Sequence, residues 1–365
     1  MKATAAVVHE KAQKFQLEDV VIDDPKAGEV LIKIVSSGIC HTDIVAQEQF
    51  FPVPLPAVLG HEGAGIIEKV GEGVKDMKPG DHVVISFATC GTCRYCLTGH
   101  AYACEGIFPL NFLGKMDDGT HRIHQKEQNL STFFGQSSFA TYAVANARGV
   151  VKVDKDVDLR LLAPLGCGIQ TGAGAIINTL RPPAGSTVAV FGTGTVGMSA
   201  LMASKVVGCT TRIAVDIFDS RLELAQELGA THTINAKNVN NVVEEIKKIT
   251  GGGVDYAIEA AGIPALLRQA TDSLATMGTV AVVGAPPVGT DVNLHVFELI
   301  VTVKSVVGVH QGSSIPKIFI PKLIELYKNG QFPFDKLIKL YSFKDINQAA
   351  EDSKKGTVIK AILTM

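Results

Sequence analysis

No run of the 365-residue chain approaches the roughly 18 to 20 consecutive apolar residues that a membrane helix requires. Gly, Lys, Asp or Pro interrupts every hydrophobic stretch. A dense Lys/Arg block is also absent. Thirty-four basic side chains face 36 acidic ones, a formal net charge of −2, so nothing predicts a long-range pull toward nucleic acid or an anionic membrane. There is no internal repeat, low-complexity tract or flexible linker. At the N-terminus, charge arrives at Glu10 and Lys11 after a short run of apolar or small residues, with no cleavage-site pattern behind it, which does not read as a signal peptide. These absences predict a soluble, cytoplasmic protein whose partner is a small molecule rather than a nucleic acid or a membrane.

What is present suits a globular chain. Hydrophobic residues make up 46% and charged residues 19%, as expected where sheets are buried on both faces. The length exceeds the size at which a single hydrophobic core usually keeps growing, so two domains are expected. The first part reads as short strands, such as Val30 to Val35 and His82 to Ile85, separated by Gly and Pro turns, an all-β texture. From about Gly166 strands alternate with helices. Thr187 to Phe191, Arg212 to Val215, Tyr256 to Ile258 and Thr279 to Val283 read as buried strands, with helices over Ser220 to Leu228 and Val242 to Ile249 between them. Alternation of this kind predicts a doubly wound parallel sheet. After about Val309 a helix over Pro316 to Asn329 and a strand over Val358 to Leu363 follow another rhythm, so the tail is expected to return to the first domain. The predicted boundaries are 1–168, 169–308 and 309–365.

Gly192, Gly194 and Gly197 follow the strand Thr187 to Phe191 and open a helix-compatible run from Val196 to Val207. Asp216 closes the next strand nineteen residues after Gly197. In a nucleotide site the glycines let the backbone turn tightly onto a pyrophosphate at a helix N-terminus, and the acid accepts from a ribose hydroxyl. Asp216 would repel a 2′-phosphate, favouring NAD over NADP. The plainer alternative is a glycine turn that only packs a helix on a sheet. Cys90, Cys93, Cys96 and Cys104 place four of the seven cysteines within fifteen positions, a spacing that suits one tetrahedral zinc. With four protein ligands such a zinc would be structural. Buried reduced cysteines and an iron–sulfur cluster remain as alternatives.

With these motifs in hand, the sequence resembles the zinc-containing medium-chain alcohol dehydrogenase family over essentially its whole length. The resemblance rests further on Gly38-Ile39-Cys40-His41-Thr42-Asp43, Gly60-His61-Glu62-Gly63-Ala64-Gly65 and Leu165-Gly166-Cys167-Gly168. Within the family, the stretches Gly166 to Gly172 and Gln136 to Tyr142 look most like aryl (benzyl) alcohol dehydrogenases. The implied fold is α/β, a GroES-like β catalytic domain holding two zincs plus a Rossmann domain. The implied reaction is oxidation of a primary alcohol, of benzyl type, with hydride transfer to NAD. Cys40, His61 and Cys167 are implied to bind a catalytic zinc, two thiolates and an imidazole leaving an open position where the ion can polarise an alcohol oxygen.

The same resemblance implies the supporting roles. Thr42 would bond the substrate oxygen and begin the proton relay, Asp43 would fix the tautomer of His61, and Glu62 would approach the ion during ligand exchange. His41 would meet the cofactor phosphates, Thr171 the nicotinamide side and Arg221 the adenosine ribose. One position departs from the pattern. Where many members carry a proton-exit histidine, three residues after Thr42, this chain has Val45. Phe50, Phe51, Phe108, Phe112 and Phe139 flank the zinc-bearing segments and are candidates for an aromatic slot or for ordinary core. His9, His82, His232 and His295 have no ligand-like spacing, and Cys209 reads as buried and inert. The apolar segments Thr279 to Ala285 and Leu299 to Gly308 resemble the family's sheet-edge contact, which implies a homodimer or homotetramer. The competing readings are a zinc polyol or aliphatic alcohol dehydrogenase and, outside enzymes, a zinc-stabilised Rossmann regulatory module.

Overall fold

In the computed structural model, which describes residues 1–365, the longest strand is Glu29–Gly38, buried over nearly its whole length. Its burial follows from its place in the sheet. Gly63–Val70 and Tyr142–Asn146 pair with it antiparallel, and at its C-terminal end Ile362 of the strand Lys360–Thr364 lies opposite Gly38. The sheet runs in the order Val150–Val153, His82–Ile85, Gly63–Val70, Glu29–Gly38, Lys360–Thr364, Ile338–Ser342. A separate closed barrel is formed by Lys2–Val8, Gln16–Ile22, Ile123–Gln125, Gln128–Thr132 and Ala57–Val58. The core enclosed by these strands is built from Ile, Val, Leu, Ala and Phe, of which the β-branched and aromatic members fit a pleated, buried surface.

Six parallel strands make the other sheet. Their order is His232–Asn235, Thr211–Asp216, Thr187–Phe191, Val254–Glu259, Leu274–Val282, Ser305–Gly308, the 3-2-1-4-5-6 order of a dinucleotide-binding sheet. The expected strands lie at these places, and His232–Asn235 and Ser305–Gly308 are additional. Both are four-residue edge strands, too short and too polar or exposed to read as buried runs. The helices Thr195–Val206, Asp219–Glu227 and Val242–Thr250 match the expected ones to within a residue at most ends. The all-β texture of the first part understates its content. Short helices at His41–Gln47 and Ile107–Phe112 interrupt it, and both carry side chains of the site.

The chain divides into two compact units. One comprises Met1–Cys167, Ile315–Leu323 and Asp335–Met365, the other Gly168–Ser314 and Ile324–Phe334. The tail therefore rejoins the first unit at Ile315 rather than Val309. Residues 324–334, which cover the end of the helix Pro316–Lys328, pack with the parallel sheet's unit. No single helix is long and apolar enough to cross a membrane.

One ion pair deep in the first unit has no role in the site. Arg122 is almost fully buried and grips Glu29 through Nε at 2.9 Å and Nη2 at 2.7 Å, with Asp118 on the same Nη2 at 2.9 Å. Removing the guanidinium would strand a buried carboxylate. Arg122→Met should lower stability by about 3–5 kcal/mol, read by urea unfolding, and Glu29→Gln in the same chain should recover part of that loss.

Candidate active site

The site begins where the strand Glu29–Gly38 ends and the chain turns into the helix His41–Gln47. Cys40 is the N-cap of that helix, and Asp43, in its first turn, reaches back so that its Oδ2 accepts from Cys40 N at 2.9 Å. Carboxylates are favoured at this place because the first helical N–H groups lack partners. Asp43 does more than cap. Its Oδ1 accepts from Gly60 N at 3.1 Å and meets His61 Nδ1 at 2.9 Å. With Asp43 Oδ1 as the acceptor, His61 donates from Nδ1, which leaves Nε2 as the ring nitrogen that could face an ion.

His61 Nε2 is buried without a hydrogen-bond partner. The sulfurs of Cys40 and Cys167, a carboxylate oxygen of Glu62 and a ring nitrogen of His61 all lie within 4.8 Å of one another. A hydrogen bond from the Cys167 thiol holds Cys40 well below the ordinary thiol range, whereas the same bond and burial push Cys167 well above it. Burial lowers the His61 pKa, but Asp43 and the Cys40 sulfur outweigh it and raise it. Two sulfurs and a buried imidazole nitrogen within 4.8 Å of one another form a donor set that a divalent zinc-like ion completes. The residues fit such an ion.

Glu62 is buried, and burial raises its pKa against the opposing charge of Lys360. Lys360 Nζ donates to both Glu62 oxygens at 2.9 and 3.1 Å and to Ile39 O at 3.1 Å. Lys360 was not singled out in the sequence. The signal that could have found it is a lysine within the apolar run Val358 to Leu363, since a lysine in a buried strand needs a charged partner.

A loop after Thr132 encloses His61. Phe134 stacks on the imidazole at 4.5 Å and Phe133 meets it edge-on at 5.6 Å. Gln136 Nε2 donates to His61 O at 2.9 Å while its Oε1 accepts from Gly63 N at 3.1 Å. The aromatic contacts continue outward from Phe134 to Phe112 at 5.2 Å, and from Phe112 to Phe51 and Phe108. Of the five candidate phenylalanines, Phe51, Phe108 and Phe112 join this cluster. Phe139 is fully buried against Phe15 in the core, and Phe50 is exposed beneath Lys11. Phe133 and Phe134, unmarked by any motif, are the rings nearest the imidazole.

Thr42 Oγ1 lies 3.7 Å from Cys40 Sγ. Val45, one turn further along the helix, offers no polar atom, and His41 is exposed at the helix start.

The four remaining clustered cysteines form a second set, with every sulfur within 4.8 Å of the others. Cys90 Sγ is 3.4 Å from Cys104 Sγ and 3.9 Å from Cys96 Sγ, close to the ~3.8 Å edge of a tetrahedron with zinc–sulfur bonds of about 2.3 Å. All four are free thiols. Burial opposes ionisation of Cys90, but backbone N–H groups of Thr92 and Cys93 pointing at its sulfur lower its pKa to about 6, while burial pushes Cys96 up to about 12. This set also fits one tetrahedral ion.

In the second unit, Gly192 turns the chain at φ +91°, and a Cβ on Gly197 would lie 1.9 Å from Gly192 O. A Cβ on Gly194 would meet nothing within 4 Å. Backbone close to backbone at Gly197 and open space at Gly194, the N-cap of Thr195–Val206, is the cradle a dinucleotide pyrophosphate requires. Asp216 ends the neighbouring strand, with Arg221 Nη1 3.9 Å from its Oδ2. Thr171 lies in the helix Gly168–Gly174, which packs on the helix Thr195–Val206.

The comparisons with known proteins agree with this geometry. Residues 26–155 match the alcohol dehydrogenase GroES-like domain and residues 195–329 the zinc-binding dehydrogenase domain. The chain belongs to the zinc-containing medium-chain alcohol dehydrogenase family. It is 42% identical to a geraniol dehydrogenase from Castellaniella defragrans, over 100% of this chain and 98% of that one. Among solved structures, a benzyl alcohol dehydrogenase from Acinetobacter calcoaceticus superposes with a TM-score of 0.97 at 49% identity, over 100% of this chain and 99% of that one. An alcohol dehydrogenase zinc-binding domain protein from Burkholderia ambifaria superposes with a TM-score of 0.98 at 50% identity and the same coverage.

The enzyme is thus an alcohol dehydrogenase that uses zinc and a nicotinamide dinucleotide, and the regulatory-module reading falls away. In this dehydrogenase the Asp43 carboxylate is the group that orients the candidate ligands. Asp43→Asn should weaken zinc affinity about 10- to 100-fold, measured by chelator competition.

Proposed function

We propose that this dehydrogenase oxidises primary alcohols of the benzyl type to aldehydes, with NAD as hydride acceptor and two zincs per subunit. The observation that carries the substrate is the aromatic cluster at the candidate ligand His61, in which Phe134 meets Phe112 and Phe112 meets both Phe51 and Phe108. Ring edges and faces of this kind suit an aromatic partner. The likeness to a benzyl alcohol dehydrogenase supports the same class. NAD is supported by the buried Asp216, whose negative charge would oppose a 2′-phosphate.

Cys40, His61 and Cys167 would hold the catalytic zinc, and Cys90, Cys93, Cys96 and Cys104 the structural one. The catalytic zinc, when bound, supplies a Lewis acid that makes the alcohol proton easier to remove. Asp43 keeps the imidazole in the tautomer with its lone pair inward. Thr42 would accept the substrate's hydroxyl proton at Oγ1 while giving up its own, so that no charge rests on the threonine. Val45 has no side-chain acceptor for the proton that Thr42 releases, which therefore leaves through water or a cofactor hydroxyl, with His41 at the helix start as the other candidate exit. Lys360 keeps the Glu62 carboxylate charge-paired where it cannot reach water. Phe134 covers one face of the imidazole and excludes solvent from it. A dimer or a tetramer of dimers is supported by the exposed apolar side chains Phe297, Ile300, Val301 and Val303 beside the edge strand Ser305–Gly308.

A second reading, an acyclic allylic primary alcohol, is favoured by the likeness to geraniol dehydrogenase. Comparing benzyl alcohol, geraniol, ethanol and sorbitol with NAD and with NADP separates these. Benzyl alcohol with NAD should exceed ethanol in kcat/KM by roughly a hundredfold, the yield of burying a phenyl ring at about 2–3 kcal/mol. Phe112→Ala should erase most of that margin. A preference for geraniol over benzyl alcohol would establish the second reading, and no turnover of either would refute both. Metal analysis should find two zincs per subunit, falling to one in Cys40→Ala with circular dichroism unchanged.

A further inference from the structure

We infer that Thr193, the residue between the first two loop glycines, is a positioning residue for nucleotide selection, because its hydroxyl fixes the orientation of the Asp216 carboxylate. The inference rests on the reading of Asp216 as the ribose acceptor. Thr193 is fully buried and Asp216 retains only 8% exposure. Asp216 Oδ2 accepts from Thr193 N at 2.7 Å and from Thr193 Oγ1 at 2.7 Å. Its other oxygen, Oδ1, accepts from Ile217 N at 2.7 Å and Phe218 N at 3.2 Å.

A carboxylate can turn about its Cβ–Cγ bond, and terminal torsions of this type have broad minima. Here one oxygen is tied to the glycine loop and the other to the turn after the strand. Three of the four donors are backbone N–H groups, so the Thr193 hydroxyl is the one donor that a side-chain substitution removes. Without it Oδ2 keeps a single bond and the carboxylate can rotate toward the guanidinium of Arg221, 3.9 Å away. Such a turn would spoil the edge presented to a ribose hydroxyl, while the carboxylate's charge, which opposes a 2′-phosphate, would stay in place. A hydroxyl between two loop glycines thereby links the pyrophosphate loop to the ribose acceptor.

The test is calorimetric binding of ADP-ribose and of 2′-phospho-ADP-ribose to the zinc-loaded enzyme, a readout independent of turnover. Thr193→Val should weaken ADP-ribose about tenfold, the worth of a hydrogen bond to a charged group at the low end of its range, and leave 2′-phospho-ADP-ribose within about twofold. Thr193→Ser should restore wild-type values. Thr193→Ala should behave as Val does, which guards against an effect of the extra methyl on loop folding. Two results overturn the inference: ADP-ribose affinity unchanged in Val and Ala, or Ser as weak as Val, which would mean that a hydroxyl at this position does not restore the carboxylate's hold on the ribose. Asp216→Asn separates the two levels. If it weakens ADP-ribose while Thr193→Val does not, only the role of Thr193 fails. If it too leaves both affinities unchanged, the ribose-acceptor reading fails and this inference with it.

Discussion

The Asp43 carboxylate, wholly buried, accepts from Cys40 N, Gly60 N and His61 Nδ1, and the geometry of the candidate zinc site depends on it. A buried anion in this position is tolerable only while each oxygen has donors. Satisfying it fixes three things together: the start of the helix that follows Cys40, the turn before His61, and the face of the imidazole that is left without a proton. Asp43 thus caps the helix and bonds the imidazole at once, one carboxylate serving both contacts.

Around that anion the charges are arranged in pairs. Glu62 sits beside the candidate ligands with Lys360 against both of its oxygens, so a second buried carboxylate is held near the sulfurs without an unpaired charge. Lys360 comes from the last strand, which pairs with the end of the strand that leads into Cys40. The C-terminal tail thus completes the first unit's sheet and supplies the cation its site needs. The aromatic loop then seals the imidazole: Phe134 covers its face while Gln136 ties its backbone carbonyl. In the second unit, Asp216 repeats the device, a strand-end carboxylate fixed by loop donors.

Much of this was legible in the chain. The four-cysteine cluster could be read because its ligands are close in sequence, and metal geometry then dictates their spacing. The parallel sheet could be read because five-residue apolar runs such as Thr187 to Phe191 recur between helical rhythms, and the glycine loop because its context is strand, turn and helix. The set of Cys40, His61 and Cys167 was different. Nothing in their spacing relates them, and they were found through the family's motifs. Phe133 and Phe134 carried no signal strong enough to stand out, because a phenylalanine acquires its role from its neighbour across the fold. Phe139 and Phe50, equally plausible as pocket residues, lie in the core and at the surface.

Sequence by itself determined the alternating strands and helices of the parallel sheet, the glycine loop with an acid at the next strand's end, the cysteine cluster and the absence of a membrane-length apolar run, because each is encoded by periodicity or by spacing along a short stretch. Only the tertiary structure decided where the tail rejoins the first unit, which rings surround His61, and how Glu62 and Asp216 are held. Those depend on residues as far apart as Glu62 and Lys360, brought together by strand pairing, and a contact between distant segments leaves no periodic trace in either one.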